Sequence, residues 1–122
     1  MAERSYLLLP INAGEGFPQS FRLNFGGRTY RLLFYVNVSE DDPQPSLDRI
    51  YDLPAPAAFM VMRVTREDTG QAEIIFQRKL VLNYEYEAHE LAFLFRRLRV
   101  ARRNLNGVGA FGSEVLGGVA PR

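Results

Sequence analysis

The chain has 122 residues, 47% of them hydrophobic, and a formal net charge of +1 at neutral pH. This length suits one domain with its own core, and the hydrophobic fraction fits a globular fold and argues against overall disorder. The near-neutral charge excludes a global field that would draw the protein onto DNA or membrane, and the absence of cysteine excludes disulfides and thiolate chemistry.

The first predicted elements are a short strand and a hairpin. Tyr6–Leu9 is apolar and is stopped by Pro10, which is typical of an edge strand. Apolar residues then alternate from Phe21 to Phe25, and a second β-rich run extends from Arg28 to Val38. Gly26-Gly27 separates these runs and accepts the positive φ angles of a tight turn, so the pattern predicts a β-hairpin.

An acidic, proline-rich loop is predicted between residues 39 and 56. It contains Glu40-Asp41-Asp42 followed by Pro43 and Pro45, and we expect at most one helical turn near Leu47–Tyr51. The adjacent carboxylates could hold a hard cation, but the prolines break any EF-hand spacing, and we favour a solvated loop. Because loops of this length are commonly functional, the candidate contact residues here are Asp41, Asp42, Pro43 and Pro45.

A second hairpin and then a change of period are predicted further along the chain. Phe59–Thr65 and Ile74–Leu82 have the composition of strands, and Gly70 suits the left-handed position of the turn between them. Arg78 interrupts the alternation and indicates a bulge or a buried ion pair. From Tyr84 to Phe95 apolar residues recur at three- and four-residue spacing, which predicts one short helix.

Five arginines lie within the eight residues from 96 to 103, and they form the most prominent candidate contact site. They are Arg96, Arg97, Arg99, Arg102 and Arg103. We favour a strand over Leu98–Arg103 to a continuation of the helix, with Leu98 and Val100 facing inward. Arginine suits fixed, bidentate contacts at protein interfaces. With Phe93 and Phe95 nearby, the same run could alternatively track a single-stranded nucleic acid.

Residues 105–122 are predicted to form a glycine-rich docking tail outside a single β-domain of residues 1–104. Five glycines make the segment flexible, yet apolar side chains recur along it, Phe111 and Leu116 among them. Such a tail would become ordered on a partner, at the entropic cost of coupled folding. Phe111 and Leu116 therefore join the candidate contact residues.

The sequence contains no recognisable catalytic or cofactor-binding motif. His89 is the single histidine, so it cannot form a histidine cluster, and no serine lies in a nucleophile-elbow sequence. The Gly26-Gly27 and Gly117-Gly118 pairs lack the strand–GxxxxGK[ST]–helix context of a phosphate-binding loop. We expect a protein that is not an enzyme and that needs no metal or cofactor.

The first hairpin and its surroundings resemble the phage baseplate plug family of contractile-tailed viruses. Leu9-Pro10-Ile11 matches the x-x-x-P-(I/L) opening of that family, and residues 21–32 match its F-x-L-x-x-G-G-x-x-Y-x-L hairpin. The resemblance spans Tyr6 to Leu98, and its remaining matches are Phe59–Thr65, Asp68-Thr69-Gly70, Lys79-Leu80-Val81 and Leu91. The chain departs from the family in lacking a tryptophan, in its long acidic loop, and in the arginine run and glycine-rich tail.

The resemblance implies a structural protein of the virion. Plugs of this family lie in the tail hub, between tail tube and spike, and help to close the lumen before contraction. Hub, spike and tube proteins would then be the partners, with a homotrimer around the tail axis and synthesis in the host cytoplasm. No membrane partner is expected. We predict a mainly β fold, a small antiparallel β sandwich or open barrel with one short helix and extended termini.

Overall fold

A computed structural model describes residues 5–39, 49–67, 70–105, 109 and 111–122. In chain order the strands are β1 (Leu7–Leu8), β2 (Gln19–Phe25), β3 (Arg28–Val38), β4 (Ile50–Asp52), β5 (Ala58–Arg66), β6 (Glu73–Lys79), β7 (Tyr86–Ala88), β8 (Leu91–Ala101) and β9 (Glu114–Pro121). The described residues contain no α-helix, but they include two 3-10 turns, Ala13–Glu15 and Arg102–Asn104.

The strands form two antiparallel sheets. The first sheet has the order β1-β9-β8-β4, with β7 also paired to β8, and the second has the order β2-β3-β5-β6. Side chains from the inward faces of both sheets share one hydrophobic core, in which the rings of Phe34 and Phe95 meet edge to face at 6.0 Å. The predicted mainly β fold, a small antiparallel sandwich, is confirmed.

Both predicted hairpins are confirmed. Gly26 and Gly27 have φ angles of 60° and 79°, as a tight turn between β2 and β3 requires. β5 and β6 form the second hairpin, although its bulge lies at Ile75 and not at Arg78. The Arg78 guanidinium instead lies over the ring of Tyr86, 5.9 Å from its centroid.

The short helix predicted over residues 84–95 is wrong, because this segment forms the β7–β8 hairpin. Its two-residue turn is His89-Glu90, where His89 has a φ angle of 54°. Ala88 pairs with Leu91 directly across the turn, so both face the core at a spacing of three without a helix. A hairpin with a two-residue turn thus places buried residues three positions apart, which is also the spacing of a helix face.

Residues 105–122 were predicted to form a docking tail outside the domain. This prediction is wrong for Glu114–Pro121, which form strand β9. This strand lies inside the first sheet, between β1 and β8, and its Val115 and Val119 side chains are buried. Gly117 leaves the space that the Phe95 ring fills, since a Cβ at position 117 would overlap that ring. The C-terminal segment is therefore part of the folded domain.

Candidate interaction surface

The arginine run lies on β8 and on the 3-10 turn that follows it. A bulge at Arg96 places one extra residue of β8 opposite β9, so Arg96 and Arg97 are both exposed. Because the bulge shifts the alternation by one residue, Leu98 and Val100 face the core, as predicted. The predicted strand is confirmed as far as Ala101. Near residue 50, strand β4 replaces the helical turn that was expected there.

Carboxylates on neighbouring strands pair with two of these arginines. Arg99 Nε donates a hydrogen bond to Asp52 Oδ1 at 2.9 Å, and Arg97 Nε lies 3.7 Å from Glu114 Oε1. Pairs as exposed as these typically contribute between zero and about 1 kcal/mol to stability. They orient the guanidinium groups on the outward face and reduce its net positive charge.

The remaining arginines of the run do not extend this face. Arg102 Nη1 donates to the Tyr51 hydroxyl at 2.9 Å, and Arg103 is exposed in the 3-10 turn, where it also makes a contact within the chain. Phe93 and Phe95 are completely buried in the core. They are therefore not available to stack on bases beside the arginine run, as the alternative of a single-strand binder on this run would require.

An apolar groove crosses the outward face of the first sheet beside Arg96. It has a volume of about 190 Å³ and is lined by Tyr6, Leu8, Leu94, Arg96, Leu116, Gly117 and Gly118. Tyr6 packs closely over Gly118, where an added Cβ would lie 2.6 Å from the Tyr6 Cβ. Leu8 and Leu116 remain 73% and 41% exposed. The groove is therefore preformed and accessible, with a cation at its side.

The strand β1 at the side of this groove is a sheet edge. It pairs with β9 through Leu7–Val119 and Leu8–Gly118, and no other described strand covers its outer side. Leu7 is 63% exposed. An uncovered edge offers backbone N–H and C=O groups to an extended segment of another chain. The groove and the edge thus form one continuous exposed surface.

The other predicted contact residues lie apart from the groove. Phe111 is 51% exposed, has a φ angle of 49°, and packs near Gly109. Asp41, Asp42, Pro43 and Pro45 lie outside the described residues. Of the predicted contact residues, the groove therefore contains Arg96 and Leu116, with Arg97 and Arg99 further along the same face. Tyr6, Leu8 and Leu94 were not among the predicted contact residues, because only the long-range pairing of β1 with β9 brings them together.

A polar cluster of Tyr30, Arg66 and Glu90 joins the two sheets. Arg66 binds both carboxylate oxygens of Glu90, and the Tyr30 hydroxyl donates to Glu90 Oε1 at 2.8 Å. The hydrogen bonds from Arg66 lower the pKa of Glu90 to about 2, and burial together with the Glu90 carboxylate raises the pKa of Tyr30 to about 12. Both values lie far from those of a general acid or base at neutral pH, so we interpret the cluster as structural.

Other kinds of site receive little support from the part of the chain that the structure describes. His89 is exposed on the β7–β8 turn. No three histidine or acidic side chains among the described residues are grouped to hold a metal ion. Nor do those residues include a helix long and apolar enough to cross a membrane.

The fold and its surface define a small antiparallel β sandwich with an apolar groove on one outward face. Comparisons with models of known families, with curated proteins and with solved structures found no match for this chain. The resemblance to the phage baseplate plug family therefore stays a prediction, and the function is inferred from the surface itself.

Proposed function

We propose that the protein is a non-enzymatic structural component of a phage contractile-tail baseplate. In this role it is a hub plug or adaptor between tail tube and spike that helps to close the tail lumen. The observation that carries the proposal is the exposed apolar groove beside the edge of β1, which no other strand among the described residues covers. The proposal that this assembly is a phage contractile tail rests on the sequence resemblance over Tyr6–Leu98.

The groove suits an extended segment of a neighbouring hub, spike or tube protein. Full burial of an exposed leucine contributes about 1.5–3 kcal/mol, so covering Leu8 and Leu116 would provide a substantial share of a binding energy. Arg96 would then donate hydrogen bonds at the rim of the contact, where polar groups surround an apolar centre. Backbone groups of β1 can pair with the same segment.

A plug must also resist deformation, and the two sheets are held together in two ways. The Phe34 and Phe95 rings interlock in the core, and the Arg66–Glu90 pair crosses from one sheet to the other. We propose that three copies of this domain surround the tail axis. They would narrow the lumen through contacts with neighbouring proteins, without any catalytic activity. The protein would be made in the host cytoplasm and act in the virion.

The Leu116→Asp variant tests this function. We expect it to fold normally but to be absent from purified tails, because docking would bury a carboxylate without a partner. The Ile74→Asp variant is the matched control, since Ile74 is another exposed apolar strand residue (57% exposed) on the second sheet. The measurements are circular dichroism of the free variants and quantitative mass spectrometry of assembled tails.

Two results would contradict the proposal. One is a normal copy number of Leu116→Asp in tails, which would show that the groove is not buried on assembly. The other is that Leu116→Asp and Ile74→Asp both fold and are equally absent from tails. This would mean that the groove on the first sheet has no particular role in assembly.

A further inference from the structure

We propose that the outward face of the second sheet binds single-stranded nucleic acid. This basic face consists of Arg22, Arg31, Arg63, Lys79, Tyr35 and Phe59. It lies on the opposite side of the sandwich from the apolar groove and does not include the arginine run. The activity goes beyond the structural role proposed above and does not depend on it.

Strand register places these cations on one side of the sheet. Arg22 pairs with Arg31 between β2 and β3, and Arg63 follows on β5 opposite Leu33. Lys79 continues the series on β6 opposite Val61. Each of the four strands therefore carries a cation, and neighbouring strands lie about 4.8 Å apart. The result is a cationic band across the full width of the sheet.

The positive charge of this band is only partly compensated within the described residues. Glu67 lies between two of the cations, 3.6 Å from Arg22 Nε and 3.5 Å from Arg31 Nε. Arg63 Nε donates to the neutral amide oxygen of Gln77 at 3.0 Å. Glu67 offsets one of the two like charges that Arg22 and Arg31 place opposite each other, so this pair of strands keeps an excess positive charge that a polyanionic ligand would compensate.

The two aromatic residues of the basic face favour unpaired bases as the ligand. Tyr35 and Phe59 are half-buried on the same side as the cations, and Lys79 Nζ lies 5.3 Å from the Phe59 ring centroid. Aromatic side chains stack on the bases of a single strand and contribute about 1–3 kcal/mol per base. In a duplex the bases stack on one another and their faces are not accessible. Cations together with partly exposed aromatic rings therefore favour a single strand as the ligand.

The same face is unlike an apolar protein interface. Val61, which lies among these side chains, is only 6% exposed, so charged and aromatic groups predominate on the accessible surface, with Ile74 (57% exposed) as an apolar residue on the edge strand β6. On the first sheet, by contrast, Arg97 and Arg99 each have a carboxylate of their own and lie beside exposed leucines. The two outward faces thus differ in charge and in the partner that each fits.

Fluorescence anisotropy with a labelled oligothymidylate of about 20 nucleotides tests the proposal. If three or four phosphates are neutralised, raising salt from about 50 to 200 mM should weaken binding about 20- to 50-fold. Lys79→Gln and Arg63→Gln should each reduce the slope of log affinity against log salt by about 0.7. Arg99→Gln, a matched loss of one cation on the first sheet, should change neither affinity nor slope.

Three results would overturn the proposal. The first is the absence of binding at about 100 μM protein and low salt, since even non-specific binders reach this range. The second is binding that does not depend on salt. The third is an equal loss of affinity in Arg99→Gln and in Arg63→Gln, which would assign the contact to the arginine run.

Discussion

Deleting residues 114–122 is expected to leave a chain that does not fold. The deletion removes β9 from between β1 and β8, so both neighbours lose their pairing along this strand. It also removes the buried side chains of Val115 and Val119, which contribute about 1.5–3 kcal/mol each. The deletion would also expose the Phe95 ring and remove backbone hydrogen bonds. The total loss is a large part of the free energy of unfolding of a typical domain, which is about 5–15 kcal/mol.

Circular dichroism and thermal unfolding measure this effect directly. The truncated chain should lack a cooperative transition, whereas the full-length chain carrying Leu116→Asp should keep one, because Leu116 faces outward on the same strand. A truncated protein that unfolds cooperatively near the melting temperature of the full-length chain would show that the C-terminal segment is a docking tail after all.

The Glu90→Gln variant is expected to lose about 1.5–3 kcal/mol of unfolding free energy, the range for hydrogen bonds to charged groups. The substitution leaves Arg66, whose side chain is only 15% exposed, without its bidentate anionic partner. We expect no larger loss, because the Glu90 side chain is 35% exposed to solvent, which screens the interaction, and Glu73 stays 3.7 Å from Arg66 Nη1. Urea denaturation at neutral pH measures the difference.

Glu87→Gln is the matched control. Glu87 also forms an ion pair, with Arg122 at 3.0 Å, but the side chains of both partners are about half exposed. Its effect should stay below about 1 kcal/mol. Equal losses in the two variants would show that the cluster between the sheets has no special role in stability.

Acid should destabilise the wild-type protein through the same carboxylate. The folded-state pKa of Glu90, about 2, lies below its ordinary value of 4.5. A depressed pKa contributes stability that is complete above pH 4.5 and is lost as the pH falls towards 2. Urea midpoints across this window should fall more steeply for the wild type than for Glu90→Gln. Parallel curves for the two proteins would contradict this assignment.

Local signals in the sequence predicted the parts of the fold that depend on neighbouring residues. The Gly26-Gly27 turn and its flanking alternation required only a few adjacent positions, and the hairpin formed as expected. The exposed Arg99 also followed from alternation along the predicted strand Leu98–Arg103. These features are encoded within single hairpins or strands, where period and turn chemistry are informative.

Long-range pairing explains what could not be predicted. Leu7 pairs with Val119, so the edge of the groove is formed by residues from opposite ends of the chain. Glycines that indicated a flexible tail instead admit close contacts, Gly117 with Phe95 and Gly118 with Tyr6. Such a contact is invisible in a local window, because the same glycine pattern occurs in loops.

The proposed function requires that the apolar groove is buried in the assembled tail, and thiol reactivity measures this burial. The chain has no cysteine, so Leu116→Cys introduces a single thiol at the groove, and Ser20→Cys provides an exposed reference on the second sheet. Maleimide labelling of Leu116→Cys should be at least about ten-fold slower in assembled tails than in the free protein, because a docked partner excludes the reagent. The slowing at Ser20→Cys should be smaller. Equal labelling rates for Leu116→Cys in free and assembled protein would contradict the account.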